Sequence, residues 1–196
     1  MPQPRTMKAL EKTMREQGIS EEIITQLDFP GATTGEKVIA LVNQMDKLLT
    51  REQCLSVMGE HGCFKTGEMD KKSKAVGREL TGKTVSERLE ILKVRGVGIS
   101  ICIPDINEDG DLVITTCSDC KNDNGMFSAP KRCACPPVRE AEAPLLVSNI
   151  YCCCCAGHAK HHLQNILGVK LCLKYAGTVP NQDDPLYTRT FTFEVI

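Results

Sequence analysis

In Ala156-Gly-His-Ala-Lys-His-His-Leu-Gln-Asn-Ile-Leu-Gly-Val-Lys-Leu-Cys-Leu-Lys-Tyr175 the apolar pattern changes its period at one glycine. Before Gly168 the apolar residues recur at helical spacing, and glycine commonly ends a helix. After it, apolar and polar residues alternate, as they do in a strand with one buried face. A second alternating run, residues 191–195, follows a segment with Pro180 and Pro185 that is predicted to be a loop. The C-terminal part therefore predicts one helix and two half-buried strands.

The N-terminal half carries start and stop signals for several helices. Residues 6–17 predict a first helix that ends at Gly18, and Ser20 is the expected cap of a second. Later helices are predicted from capping boxes, in which Glu or Gln follows a threonine by three residues. The three boxes are Thr33 with Glu36, Thr50 with Gln53, and Thr84 with Glu87. Residues 63–83 are predicted to be an exposed loop with some helix.

A β-hairpin is expected where the two halves meet. Ile99, Ile101 and Ile103 alternate with Ser100 and Cys102, which indicates a strand. The turn signal Asn107-Glu-Asp-Gly110 then allows residues 112–116 to pair back.

These patterns predict an α+β fold with two regions. A helical N-terminal region, residues 1–96, is expected to pack on a small, mostly antiparallel sheet. Residues 97–196 are the α+β, cysteine-rich, metal- and ligand-binding region. Both regions are expected to form one compact unit.

Charge and hydropathy argue against two classes of partner. The 196 residues contain 24 Lys and Arg against 25 Asp and Glu, so no global field attracts nucleic acid or an anionic membrane. The short basic patch of Lys71, Lys72 and Lys74 is interpreted as a solvated loop. No stretch approaches the roughly 20 apolar residues of a membrane span, and the N-terminus lacks a signal-peptide pattern. We therefore expect a cytoplasmic protein.

Twelve cysteines are the strongest chemical signal in the chain. Thiols stay reduced in the cytoplasm, so metal binding is expected before disulfides; a disulfide framework would fit an extracellular protein. Three clusters stand out: Cys117-Ser-Asp-Cys120, Cys133-Ala-Cys135-Pro136, and the run Cys152–Cys155 with His158. Cys54 is expected in a helical core, and Cys102 and Cys172 are expected to pack on strands, although Cys102 could point at the site.

The spacing of the cysteines suggests a ligand set. Alternate residues of an extended segment project to the same side, so two cysteines with one residue between them can offer both sulfurs to one ion. Two such pairs suffice for a closed zinc site. The first-choice ligands are Cys133, Cys135, Cys152 and Cys154. The reserve set, or the ligands of a second ion, is Cys117, Cys120, Cys155 and His158. An iron–sulfur cluster is the alternative cofactor; zinc is preferred because the pairs lie on separate segments, unlike the tight run of common ferredoxins.

A helix that begins near Cys154 would have one face with candidate ligands of the last cluster and another face that packs. Cys155, His158 and His162 would then share one stripe along the helix. A different stripe can face the core, and it consists of Leu163, Ile166 and Leu167. The positive end of the helix dipole would also lower the pKa of nearby thiols and favour thiolates.

The remaining polar residues have simpler interpretations. For His61 and Cys63, which flank a glycine after a helix end, a structural role and a contribution to the site both stay open. His161 falls off the Cys155 stripe and is expected to be solvated. The sequence shows no partner for Asp111 or Asp119, and no catalytic role is assigned to them.

Several motifs resemble an uncharacterised family of cysteine-rich microbial proteins. They are Met58-Gly-Glu-His-Gly-Cys63, Tyr151-Cys-x-Cys-Cys-x-Gly-His158, Asn165-x-Leu-Gly-Val-Lys-Leu171 and Phe191-x-Phe-Glu-Val-Ile196. The resemblance covers roughly residues 50 to 196. The order of cysteine segment, helix, glycine turn and two strands is also similar to 4-vinyl-reductase-type small-molecule-binding domains and to the C-terminal part of aminothiazoline-carboxylate hydrolases. The resemblance implies an α+β domain that holds a small ligand, with cysteines near a metal.

The first-choice cysteines fall where the family's CxCP and CxC motifs lie, and the chain departs from the pattern twice. It has an additional cysteine at Cys153, which leaves the choice of ligand sulfur open. It also has Thr188-Arg-Thr190 where relatives often carry a cysteine, which weakens the expectation of a shared ligand pocket.

Three functions follow from these features. The leading hypothesis is a cytoplasmic zinc-type metal-binding protein with a small-molecule-binding domain. The enzymatic alternative is metal-assisted hydrolysis of a small amide or cyclic imine, with His158 or His162 handling protons. The third is an iron–sulfur or dithiol redox protein that uses Cys117 and Cys120.

Overall fold

Seven helices and four strands make up the part of the chain that the structure describes. This computed structural model describes residues 5–62, 65–96, 102–116, 154–181 and 184–196. The helices are α1 (Arg5–Glu16), α2 (Glu21–Ile24), α3 (Gly35–Leu48), α4 (Arg51–Glu60), α5 (Glu68–Glu79), α6 (Val85–Arg95) and α7 (Cys154–Leu167). The strands are β1 (Asp105–Ile106), β2 (Leu112–Thr116), β3 (Leu171–Asn181) and β4 (Asp184–Val195).

Capping residues set the helix starts largely as the sequence predicts. Ser20 caps α2, and α4 and α6 begin with complete capping boxes at Thr50 and Thr84. The box predicted at Thr33 is wrong by one residue, because α3 is capped by Thr34. Thr33 belongs to the preceding turn, where its N–H donates to the Gly31 carbonyl at 2.8 Å.

Helix α5 is longer than expected for residues 63–83, which were predicted to be an exposed loop with some helix. It is a 12-residue helix, and the basic patch lies on its exposed side. Its buried face contains Ser73 and Gly77 instead of large apolar side chains. A helix whose buried face carries small residues has little apolar periodicity, so the pattern of hydrophobic residues does not reveal it.

The sheet is antiparallel throughout and has the order β1-β2-β4-β3. The predicted turn and the second strand of the hairpin are confirmed: β2 pairs back across the turn that ends at Gly110, whose φ is +83°, but its partner is β1. The strand expected over residues 99–103 is wrong at its described end, because residues 102–104 are not in a strand. Pro104 has no N–H to donate to a ladder, and the strand begins directly after it.

Strands β3 and β4 are longer than the alternating pattern predicts. The pair is confirmed, but Pro180 and Pro185 lie within the strands and not in a long loop, because the ladder extends to Asn181 opposite Asp184. The register shifts between residues 179 and 181, and such an irregularity tolerates a proline that cannot donate to the ladder.

One hydrophobic core joins the helices to the sheet, and α7 lies within it. Helix α7 contacts α4, α5, α6 and β3, and its predicted packing face of Leu163, Ile166 and Leu167 is buried. Helix α4 reaches the sheet directly, since a Cβ at Gly59 would lie 3.0 Å from the Cβ of Leu173. The α+β class, with helices before the sheet in sequence, is confirmed. The division at residues 96 and 97 stays a prediction.

Candidate functional site

The structure describes one of the four first-choice ligands. Cys154 is the first residue of α7, while Cys133, Cys135 and Cys152 lie outside the described residues. In the reserve set, Cys155 and His158 are described, and Cys117 and Cys120 are not. Cys63 and Asp119 also fall outside. The described part of the candidate site is therefore the end of the cysteine run together with the residues around it.

The cysteine run enters α7 at a buried position. Helix α7 begins at Cys154, as the two-face arrangement requires, and this residue is only 3% exposed. Cys155 follows at a half-buried position and packs against the core. The last sulfur groups of the run are thus largely withdrawn from water at the N-terminus of a helix.

Lys65 interacts electrostatically with this end of α7. Burial lowers the pKa of Lys65, while the Glu60 carboxylate and the Cys154 thiol oppose that shift by attraction. Lys65 Nζ also donates to the main-chain carbonyl oxygen of Glu60. The ammonium group is therefore held close enough to Cys154 to stabilise a negative charge on its sulfur.

His61 is a buried imidazole at the C-terminal end of α4. Its N–H donates to the Val57 carbonyl at 2.8 Å and caps the helix, while its side chain is 1% exposed. Neither Nδ1 nor Nε2 has a hydrogen-bond partner among the described residues. Burial lowers the pKa of His61 to about 4, and the positive charge of Lys65 adds to this. The ring is neutral at neutral pH.

Two glycines bring His61 against the first turn of α7. A Cβ at Gly157 would lie 1.7 Å from the His61 carbonyl oxygen, and a Cβ at Gly62 would lie 3.1 Å from the His158 nitrogen. Only residues without side chains allow this approach of backbone to backbone. The end of α4 and the end of the cysteine run are therefore neighbours.

His158 is half-buried in the same turn of α7. Its pKa is lowered to about 4 by burial first, and then by the nearby His162, His161 and Lys65. The rings of His158 and His162 stand edge to face with centroids 4.7 Å apart. On the predicted stripe, His162 is the most buried member and faces α5.

A polar cluster holds α5 against α7. His161 Nε2 lies 2.8 Å from Asp70 Oδ1, and His162 Nδ1 lies 3.0 Å from Ser73 Oγ. Asn165 Nδ2 donates to both acceptors, to Asp70 Oδ1 at 3.2 Å and to Ser73 Oγ at 3.0 Å. The expectation that His161 is solvated is wrong, because α5 covers that side of α7 and supplies a carboxylate.

The Ser73, His162 and Asp70 side chains do not form a nucleophilic triad. Ser73 is fully buried, and its hydroxyl donates to the Asp70 main-chain carbonyl at 3.0 Å. Asp70 pairs with His161 instead of orienting His162. A serine nucleophile must reach its substrate and pass its proton to the neighbouring imidazole, and this hydroxyl does neither. The cluster is a packing contact.

A groove lies between α4, α7 and β3. It encloses about 390 Å³ and is lined by Gln17, Glu52, Leu55, Ser56, Gly59, Glu60, Lys160, Cys172, Leu173 and Lys174. Cys172 corrects the expectation of a packing residue: it is exposed, because Leu171 and Leu173 on either side face the core. Asp111, which has no partner visible in the sequence, is buried and accepts from Lys174 Nζ at 2.7 Å.

The groove and the start of α7 share a border. The buried ammonium group of Lys160 pairs with the Glu60 carboxylate, and both residues line the groove. Glu60 is also the acceptor of Lys65, which lies near Cys154. A molecule in the groove would thus lie beside the charged residues that flank the cysteine run.

The described residues alone do not form a metal-binding group in this region. No three His, Cys, Asp or Glu side chains in the described ranges are grouped so that they could hold one ion. Cys54 is a core residue, as predicted, and burial raises the pKa of its thiol to about 11. Cys102 is half-buried against the core, as expected. A metal ion at α7 would therefore need at least one ligand from residues outside the described ranges.

Sequence reasoning left the role of His61 open and missed Lys65 and the Glu60–Lys160 pair. Residue spacing relates groups that share one segment. His61, Lys65 and Glu60 lie near α7 only because Gly62 and Gly157 bring two distant segments together. The glycine in Glu60-His-Gly-Cys63 was the available signal, since a glycine after a helix end permits close backbone approach.

Comparison with protein-family models, with curated proteins and with solved structures gives no match to this chain. None of the described helices combines the length and the apolar character needed to cross a lipid bilayer.

Proposed function

We propose that this chain is a zinc-type metal-binding protein of the cytoplasm whose metal site adjoins a small-molecule-binding groove. Cys133, Cys135, Cys152 and Cys154 are the first-choice sulfur ligands. The observation that carries the proposal is the burial of Cys154 at the first position of α7, beside Lys65. Zinc binds sulfur as the thiolate, and the positive end of a helix dipole favours that form.

The charge balance around Cys154 supports a site rich in thiolates. A zinc ion with four thiolates carries a net charge of −2, and a buried net charge needs compensation. Lys65 and the N-terminal dipole of α7 supply positive charge on the same side of the helix. Together they would offset much of the negative charge of such a site.

The groove supports the small-molecule part of the proposal. Its lining combines the apolar surface of Leu55 and Leu173 with Lys160 and Glu52, charged residues of opposite sign. A volume of about 390 Å³ is at the lower end of the range for small-molecule sites. A small ligand with an apolar body and polar or charged ends fits this lining.

Two features of the described histidines favour a binding protein over the hydrolase alternative. His162 is fully buried and hydrogen-bonded to Ser73, so it is engaged in helix packing. The pKa of His158, about 4, lies well below the value that suits a general base at neutral pH. The redox alternative depends on Cys117 and Cys120, which lie outside the described residues, and it stays a prediction.

Metal analysis of purified variants tests the proposal. Wild-type protein purified under reducing conditions is expected to contain zinc, Cys154→Ser is expected to lose most of it, and Cys172→Ser is the matched control that keeps it. Circular dichroism checks that each variant is folded. Zinc that stays at the wild-type level in Cys154→Ser, Cys133→Ser and Cys152→Ser would contradict the ligand set. A brown protein that contains iron and sulfide would replace zinc by an iron–sulfur cluster.

A further inference from the structure

Lys160 is a buried cation in the lining of the groove between α4, α7 and β3. Its side chain is 9% exposed, whereas lysines usually keep the ammonium group in water. An ammonium group has three N–H donors, and among the described residues this one donates to a single acceptor, the Glu60 carboxylate. Burying a charged group costs free energy unless its hydrogen bonds are made. A second acceptor, supplied by a molecule in the groove, would therefore be stabilising.

The charges at this end of the groove also leave room for an anion. The pKa of Lys65 is lowered by burial and, less strongly, by the positive charge of Lys160, while Glu60 opposes the shift and Glu16 does so more weakly. The two ammonium groups thus repel each other, and Glu60 is their shared counter-charge. Its side chain is 44% exposed, so water screens part of its attraction. A further carboxylate beside Lys160 would balance these charges.

Other polar side chains of the groove lining already have partners within the protein. Ser56 Oγ donates to Gln17 Oε1 at 2.6 Å. Lys174 Nζ donates to Asp111 Oδ2 at 2.7 Å, and its side chain is 47% exposed, so water can reach it as well. Lys160 differs from both because it is buried and still has N–H donors to offer. It is therefore the group in the lining that gains most from a ligand.

One face of α4 forms the length of the groove. Its lining residues recur at helical spacing from Glu52 in the first turn to Glu60 at the last position, a separation of about 12 Å along the axis. Between these ends lie Leu55 and also Gly59, whose missing side chain lets Leu173 of β3 approach. A molecule with its acidic group at the α7 end has room for an apolar body of several carbons along α4.

We infer that the groove binds a small carboxylate with an apolar body, and that Lys160 binds the carboxylate. This inference rests on the proposed small-molecule groove and names its ligand class. The carboxylate would accept from the remaining N–H donors of Lys160, while the body packs on Leu55 and Leu173. An amine would be repelled by the ammonium groups at this end, and a neutral amide would lack the charge that balances them.

Titration of isotopically labelled protein with three chain-matched probes, followed by nuclear magnetic resonance, tests the ligand class. Hexanoate is expected to shift the amide signals of residues that line the groove. Hexanamide is expected to bind at least about tenfold more weakly, because a hydrogen bond between two charged groups is stronger than one to a neutral amide. Hexylammonium is expected to bind more weakly than hexanoate as well.

Two kinds of outcome would overturn the inference. If hexanamide or hexylammonium binds in the groove as tightly as hexanoate, the carboxylate assignment falls and the small-molecule groove stands. If none of the probes shifts the groove signals, the inference falls together with the small-molecule part of the proposed function. The zinc content of the same samples tests the metal part separately.

Lysine variants test the role of Lys160. Lys160→Met keeps the apolar stem of the side chain and is expected to remove the preference for hexanoate over hexanamide. Lys47→Met, at an exposed position of α3, is the charge-matched control and should keep the preference. A Lys160→Met protein that still prefers hexanoate would overturn the inference.

Glu60→Gln provides a second measurement that does not depend on the folding of Lys160→Met. The change removes the carboxylate that competes with the ligand for the ammonium group of Lys160. Hexanoate is therefore expected to bind several times more tightly to Glu60→Gln than to the wild-type protein. Affinity that is unchanged or weaker would overturn the inference.

Discussion

The carbonyl oxygen of His61 lies 1.7 Å from the point where a Cβ at Gly157 would stand. This is a contact of two backbones, one at the end of α4 and one in the first turn of α7. It fixes the position of His61 relative to Cys154 and the residues of the cysteine run. A similar close contact joins α5 to α7, where a Cβ at Gly77 would lie 1.9 Å from the Asn165 carbonyl oxygen.

Gly157→Ala is therefore expected to destabilise the protein. In an ordinary helix the change from glycine to alanine stabilises by up to about 1 kcal/mol, but here the new methyl group collides with main-chain atoms that cannot rotate away. Overpacking of this kind costs about 1–3 kcal/mol, measured as the free energy of unfolding in urea. Gly62→Ala is the graded comparator and should cost less, because its main-chain contact with His158 would be 3.1 Å and its nearest contact is the flexible end of Lys65. Equal stability of Gly157→Ala and wild type would refute the close contact.

The buried hydroxyl of Ser73 should contribute measurably to stability. It lies between His162 Nδ1 and Asn165 Nδ2, so Ser73→Ala leaves two buried polar groups without their acceptor. We expect a loss of about 1–3 kcal/mol in the free energy of unfolding. Ser86→Ala, an exposed serine on α6, is the control and should change it by less than about 0.5 kcal/mol. A Ser73→Ala variant as stable as its control would show that the polar cluster is not a packing contact.

Asp70 should make the protein sensitive to acid. Hydrogen bonds from Lys74 and His161 lower the pKa of its carboxyl from 3.8 to about 2. Because the folded state holds this pKa below the unfolded value, the resulting stability is present above pH 4 and is lost as the pH falls toward 2. Asp70→Asn is therefore expected to flatten the decline of unfolding free energy between about pH 4 and pH 2. Asp109→Asn, at an exposed turn, provides the charge-matched control. An unchanged acid profile in Asp70→Asn would contradict this ion pair.

Cys172 should be among the first described cysteines to react with a thiol reagent. Its side chain is exposed at the groove, whereas Cys54 is buried and its thiol has a pKa of about 11. Reactivity requires both access and thiolate character, so iodoacetamide should modify Cys172 long before Cys54. Peptide mass spectrometry over a time course measures both rates. Modification of Cys54 at the same rate in folded protein would contradict the described core.

The elements that the sequence predicted correctly are those with local physical causes. A capping box at Thr50 or Thr84 satisfies backbone N–H groups within four residues, and Gly168 ends α7 with a φ of +70° that other residues rarely adopt. The alternation around Leu171 and Leu173 likewise needs only neighbouring residues. Such features can be recognised wherever they occur in a chain.

The elements that the sequence failed to predict depend on contacts between distant residues. The buried face of α5 carries Ser73 and Gly77, which suit the polar edge of α7 but give no apolar pattern. Asp111 finds its partner at Lys174, 63 residues further along the chain. The environment of His61 depends on Gly157 in the same way. Spacing contains no information about such pairs, so the sequence can relate only candidate groups that lie near one another in the chain.

Metal content of the wild-type protein is the most direct test of the central claim, that thiolates from separate segments converge on one ion at the start of α7. The protein should be purified without oxygen or added metal salts and analysed by mass spectrometry for metals, with free thiols counted in parallel. About one zinc ion per chain, removable by a strong chelator, is the predicted result. Protein that carries no metal ion, or that contains those cysteines paired as disulfides, would contradict the account.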